Sequence, residues 1–260
     1  PILAADGLWS VASGGSWTNS ANWNVGIVAS GTNATADFST VDLTSDATVT
    51  LDGARTIGHL KFADVTPGQN WFLEQGSGGL LTLASSSNLP SILVTNTTLT
   101  IGVPIVGPQG FMKDGAGTLV FTNANSYGGA TIVSNGVLRL QQSGTLGISS
   151  NIDVMPGAQI AFFDSASSNR IADNAGVNLR YLGSYGKIFL TNAINETVGA
   201  LSFDFVGQAA GTWGSSSSGA SHTNNAYFAG PGILNVLNSL TGGVNVVNQQ
   251  PTGITTNSAT

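Results

Sequence analysis

Apolar and polar residues alternate in short runs along most of the chain, and helical spacing is almost absent. The runs include "ATVTLDG" (Ala47–Gly53), "LLTLA" (Leu80–Ala84), "SILVTNTTLTIGV" (Ser91–Val103), "GTLVF" (Gly117–Phe121) and "ATIVSNGVLRL" (Ala130–Leu140). Gly, Asn, Asp and Pro bound them. Period-two alternation between turn residues predicts short half-buried strands, rich in the branched side chains that pack on a pleated surface.

The runs recur. Gly-x-apolar-x-apolar appears at Gly79–Leu83, Gly117–Phe121, Gly136–Leu140 and Gly232–Val236, with the first three spaced by 38 and 19 residues. A looser copy starts at Gly157. A longer echo links "RTIGHLKFAD" (Arg55–Asp64) to "ETVGALSFDF" (Glu196–Phe205). A period of about 20 residues with one Gly-opened strand predicts a β-solenoid, because single rungs cannot bury their inward side alone and stacked rungs can. The alternative on the same evidence is a β-sandwich with irregular hairpins. In the solenoid, Leu119, Phe121, Ile132, Leu138 and Leu140 are expected to point inward, and Val120 and Arg139 outward.

The chain divides into three segments. Residues 1–45 form an N-terminal cap or strand segment in which Trp9, Trp17 and Trp23 plug an open end. Residues 46–247 form the solenoid body, with a long loop over 206–230 before the last clear strand. Residues 248–260 form a polar tail that a neighbouring copy would order.

Composition narrows the function. With 7 Lys+Arg against 13 Asp+Glu the net charge is −6, which argues against nucleic acid, whose binding needs clustered cations. Apolar residues still make up 41%, so the chain folds. It has no cysteine, hence no disulfide and no thiolate metal site. No apolar run reaches the length of a membrane span. Abundant Asn, Thr and Ser with little charge fit an exported bacterial protein. "PILAADGLWS" has no basic leader and reads at most as the tail of a removed signal, near Ala4-Ala5.

The stretch "GAGTLVFTNANSYGGATIVSNGVLRL" (Gly115–Leu140) resembles the autotransporter-associated β-strand repeat, also called the passenger-associated transport repeat. The residues that carry the likeness are Gly115, Gly117, Leu119 and Phe121; then Asn125, Tyr127, Gly129, Thr131 and Val133; then Gly136, Leu138 and Leu140. The resemblance implies an extracellular right-handed parallel β-helix, a surface adhesin or passenger, and no catalytic residues or cofactor. The sequence departs from the autotransporter pattern in showing no membrane-barrel domain or anchor after Val247, so a free, secreted or assembled protein is expected.

Candidate chemistry is sparse. The carboxylates are scattered at predicted turns, where Asp is an ordinary turn residue. His59 is expected to face solvent from a strand and His222 to lie in a polar loop; neither has a second His or a Cys at ligand spacing. Calcium held between turns stays open, although no Asp-x-Asp-x-Asp-Gly run occurs. Trp71 and Trp213 are the candidate exposed platforms for stacking on a surface glycan.

Three functions compete. The first is a non-enzymatic structural protein that associates into a homopolymer, a fibre or surface layer, by adding terminal strands to open solenoid ends. The donor residues would be Pro1, Ile2 and Leu3 at one terminus and Val244, Val246, Val247 and Ile254 at the other. The second is an adhesin or passenger module binding a surface or glycan. The third is a polysaccharide-acting β-helix enzyme.

Overall fold

A computed structural model describes residues 4–164, 169–191 and 194–240. They form an all-β parallel solenoid of about 7 turns, interrupted only by the short 3-10 turns Ser20–Asn22 and Asn24–Gly26. Each turn lays one strand on face 1 and one on face 2. Face 1 runs from Gly7–Leu8 through Ser91–Val94 and Ala130–Val133 to Ala200–Phe203, and face 2 from Gly14–Ser16 through Thr118–Phe121 to Phe228–Ala229.

Stacking is in register. Leu99, Leu119, Leu138, Ile160 and Ile188 lie one above the next on the inner side of face 2. Phe111, Thr131, Ile152, Val177 and Leu201 do so on face 1. Most strands bury every second residue, which is what a pleated rung with one side facing the axis requires. The backbone groups of each inner rung are satisfied by the rungs above and below.

Face 3 is less regular. It begins with the first half of Ala54–Phe62, which pairs with Leu80–Leu83; that strand pairs in turn with Ile105–Val106. Lower down it continues without formal strands, through Gly128 N–H to Gly107 O at 2.8 Å and Ile148 N–H to Tyr127 O at 3.0 Å. Asn125 holds this stretch together. Its side-chain oxygen accepts from Ile105 N–H (2.8 Å) in the turn above, and its amide donates to Thr145 O (2.7 Å) in the turn below. Face 3 ends in Asn195–Val198 and Ile233–Val236, with an antiparallel partner at Gly211–Gly214.

The two echoed segments occupy equivalent places. Ile57 lies on face 3 and Leu60 and Phe62 on face 1; Val198 lies on face 3 and Leu201 on face 1. The glycine between them turns the corner against the preceding rung. A Cβ on Gly58 would sit 2.7 Å from the Asn33 backbone, and one on Gly199 2.7 Å from that of Asn174. The Gly-opened runs divide between faces. Those after Gly117 and Gly136 pair with each other on face 2, whereas those after Gly79 and Gly232 belong to face 3.

The first turns are filled with rings. Trp9 and Trp17 each meet Trp23 at 5.1 Å, all three touch Phe38, and Phe38 stacks on Phe62 at 4.4 Å. Each indole N–H finds a backbone carbonyl, on Val11, Ala29 and Trp17 respectively, so the rings are buried without an unpaired donor. Gly7–Leu8, Gly14–Ser16 and Gly31–Phe38 pair in parallel with the strands that follow, which makes this segment continuous with the solenoid.

One inward–outward assignment is corrected, and one outward residue proves to be covered. Ile132 is half-buried and faces outward; Thr131 and Val133 take the buried positions. The interior accepts Thr131 because its hydroxyl shares a hydrogen bond with Tyr127 OH (2.9 Å) and donates to Ser149 Oγ (3.1 Å), which in turn donates to Gly129 O. Burial raises the Tyr127 phenol well above its ordinary pKa. Val120 alternates with buried Leu119 and Phe121 yet is itself only 2% exposed, in register with Thr100 and Arg139.

The interior also holds a charge. In Phe111–Asp114 the parity set by Phe111 places Lys113 inside. Its ammonium donates to the carbonyls of Asp114, Gly115, Gly117 and Asn135 at the corner between faces 1 and 2. Burial pushes its pKa down to about 8, with Asp114 opposing.

Candidate functional site

The outer side of face 1 carries a groove of about 690 Å³ that crosses four successive rungs. These are Ala130–Val133, Asn151–Val154, Gly176–Leu179 and Ala200–Phe203. Because the strands are in register, their outward residues line up in two columns. One reads Ala130, Asn151, Gly176, Ala200; the other reads Ile132, Asp153, Asn178, Ser202. The first is mostly small and forms a low floor. The second is mostly polar.

The polar column is wired. Ser202 Oγ donates to Asn178 Oδ1 at 2.9 Å, and Asn178 Nδ2 donates to Asp153 Oδ1 at 3.1 Å. Arg180, just past its strand, donates to Asp153 Oδ2 at 3.4 Å and to Asp204 Oδ1 at 3.3 Å. Burial raises the Asp153 pKa, Arg180 and the Asn178 amide pull it back, and Asp204 adds to the rise. Both ends of the Asn178 amide are used by the protein, so its orientation is fixed.

One wall is strained. Ala200–Phe203 turns back on itself through Asp204 and Phe205 to pair with Val206–Gly207. Both turn residues have positive φ, 47° and 66°. A two-residue hairpin of the primed type demands this, and Gly, Asn and Asp usually supply it. A bulky Phe there costs on the order of 1–3 kcal/mol and persists only when its surroundings hold it. The hold is visible: Phe205 N–H donates to Asn178 Oδ1 at 3.0 Å, and the Arg180 guanidinium lies 4.0 Å from the ring centre. Leu89 and Leu240 complete the apolar rim.

The expected sugar platforms lie elsewhere or nowhere. Trp71 is fully buried, stacked at the first inward position of Trp71–Gln75, with its indole N–H on Ala63 O at 2.8 Å. It belongs to the ring cluster, in edge contact with Phe62. Trp213 is 8% exposed, packed between Phe203 and a His222 ring at 4.6 Å. Neither presents an open face. The exposed aromatic surface is instead the Tyr181–Tyr185 hairpin, whose rings lie 4.5 Å apart. His59 is half-buried against Ser91 Oγ at 2.8 Å.

Pro1, Ile2, Leu3, Val244, Val246, Val247 and Ile254 lie outside the described residues. Among the described residues, no three His, Cys, Asp or Glu side chains gather as a metal would need, and no helix is long and apolar enough to cross a membrane. Two buried carboxylates serve backbone. Asp64 accepts from Leu43 N–H and Gln69 N–H, and Glu196 accepts from Arg170 N–H and Ile171 N–H. Burial lifts Glu196 to about 7, opposed by those bonds and by the Arg170 charge, and reinforced by Asp173. Arg170 in turn bonds Asp164 at 2.7 Å.

Sequence reasoning missed the groove. Its residues come from six separate stretches, and the one local signal was the polar outward parity of "NIDV" and "GVNL" between apolar inward positions.

Comparison with known proteins agrees with this architecture. Residues 112–140 match the family described as the passenger-associated-transport-repeat. The segment covers the Lys113 strand, the Asn125 clamp, the Tyr127–Thr131 pair and the start of the groove. Over 182 residues, 70% of this chain, the sequence is 30% identical to the adhesin BmaC autotransporter of Brucella suis biovar 1 (strain 1330). The matched region spans 5% of that protein's length. No solved structure matches the chain. The chain is thus a parallel β-solenoid that carries the passenger-associated transport repeat and is similar over most of its length to an autotransporter adhesin.

Proposed function

We propose that this chain is a non-enzymatic adhesive segment of a bacterial passenger, borne at the cell surface or secreted, and that the face 1 groove is its contact surface. The observation that carries the reading is a preformed groove laid across four stacked rungs, with polar side chains fixed before any ligand arrives. Support comes from the adhesin to which the chain is similar and from its transport repeat. Asp153 and Asp204 flank the same guanidinium and are ion-paired to it. Carboxylates so engaged suit recognition better than proton transfer.

Beads coated with the protein should adhere to cultured epithelial cells, and Gly176→Leu, which fills the groove floor, should abolish adhesion. Adhesion no greater than that of albumin-coated beads would overturn the reading. Filaments in negative stain, intact in Gly176→Leu and with no adhesion in either protein, would favour assembly instead. Release of reducing ends from polysaccharide would favour catalysis.

A further inference from the structure

We infer that the groove takes a neutral, linear glycan laid along the solenoid axis with one sugar per rung. This rests on the adhesive reading above and names its ligand class.

The first observation is spacing. Parallel strands stack about 4.8 Å apart, close to the length of one pyranose unit. The groove spans four rungs whose outward side chains are in register. A sugar chain on that axis would set one unit beside each rung. The second is surface chemistry. A sugar ring has hydroxyl edges and a C–H face. The column Asp153, Asn178, Ser202 offers fixed donors and acceptors to the edges, while Ile132, Leu89, Phe205 and Leu240 offer apolar surface to the face. Small residues at Ala130, Gly176 and Ala200 let a ring approach the sheet.

The third is strain. Phe205 holds φ at 66° in a turn that Asn or Gly would make without cost. That arrangement puts an aromatic wall beside the polar column, and backbone strain concentrates at binding sites.

Charge selects among sugars. Asp153 and Arg180 balance within the groove lining, Asp204 beside it pairs with the same guanidinium, and the chain carries a net −6, so sulfated or uronic polymers find no free positive charge there and are repelled by the whole. A peptide adding itself as a strand finds no free edge here, since Ala130–Val133, Asn151–Val154 and Gly176–Leu179 are bonded to rungs on both sides and Ala200–Phe203 is covered on its far side by its own hairpin partner Val206–Gly207.

The test is titration calorimetry with three β-1,4-linked series of two to six units: glucose, mannose and N-acetylglucosamine. In at least one series the tetrasaccharide should bind at least about tenfold more tightly than the disaccharide, with no further gain for the hexasaccharide. Gly176→Leu should lose that binding while keeping its melting temperature. A Cβ there has its nearest neighbour, Asn151 Oδ1, at 3.4 Å, so the substitution points into the groove without a clash at the backbone. Phe205→Asn should weaken binding without unfolding the chain. Absence of binding in all three series, equal binding by Gly176→Leu, or tighter binding of heparin than of any neutral sugar overturns the inference. If beads adhere and Gly176→Leu abolishes adhesion while no sugar binds, the ligand class fails and the groove reading stands. If Gly176→Leu beads adhere unchanged, the groove reading fails as well.

Discussion

The strands Asn151–Val154 and Gly176–Leu179 have two sides with opposite logic. Inward, Ile152, Val154, Val177 and Leu179 are apolar and fully buried, and their packing asks only for volume and shape. Outward, Asp153 and Asn178 are joined to each other, to Ser202 and to Arg180 by bonds with fixed partners. The inner side is what makes rungs stack. The outer side could have been any soluble surface, and it is instead a bonded network with a strained aromatic at its rim. That difference locates function on one side of a sheet whose other side is pure scaffold.

The largest break in this comparison is expected from the inner side. Val177→Asp buries a carboxylate with no partner and should unfold the chain or cost about 4 kcal/mol or more, read by urea titration. Lys113→Met comes next. It deprives four carbonyls of their shared donor, and leaving buried acceptors unmet should cost roughly 1–3 kcal/mol. A neutral or more stable Lys113→Met would show that the corner does not need the charge.

Glu196 gives a pH signature. Its folded pKa, about 7, lies above the ordinary 4.5, so the folded state binds more protons between those values. Stability from this group is full below about pH 4.5 and is lost as pH rises through about 7. Relative to Glu196→Gln, the wild-type melting temperature should therefore rise on acidification from pH 7.5 to 5. A flat difference would place the carboxylate in a better-solvated setting.

The smallest effects belong to the outer side. Asn178→Ala removes the bonds to Asp153, Ser202 and Phe205 N–H and should cost about 1 kcal/mol, with a much larger loss of adhesion. Phe205→Asn should leave stability within about 1 kcal/mol of wild type or raise it, because relief of the left-handed strain offsets the lost guanidinium contact. A clear destabilisation would mean that Phe205 is there for the fold and not for the groove.

The sequence made the inner side legible because alternation and stacking leave a periodic trace. The spacing from Leu119 to Leu138 is one rung, and the echoed Thr-x-Gly-x-Leu-x-Phe segments turn the same corner. The trace failed where a polar residue took an inward place. Thr131 and Lys113 are buried, and reading Ile132 as the buried residue inverted that strand. Trp71 failed for a related reason: it opens a strand whose parity points inward. The groove was illegible because it depends on which rungs lie side by side, from Ala130 to Leu240, with Leu89 reaching in from an earlier turn. Nothing in "SFDFVG" announces a tight turn, since its two turn positions are Asp and Phe.

The bonded column has a sense. Ser202 donates a hydrogen bond to Asn178, Asn178 donates one to Asp153, and that order of donors does not read the same when reversed. All the strands beneath it run one way as well. The trough thus has a head and a tail, and a polymer with two unlike ends would thread it in one orientation only.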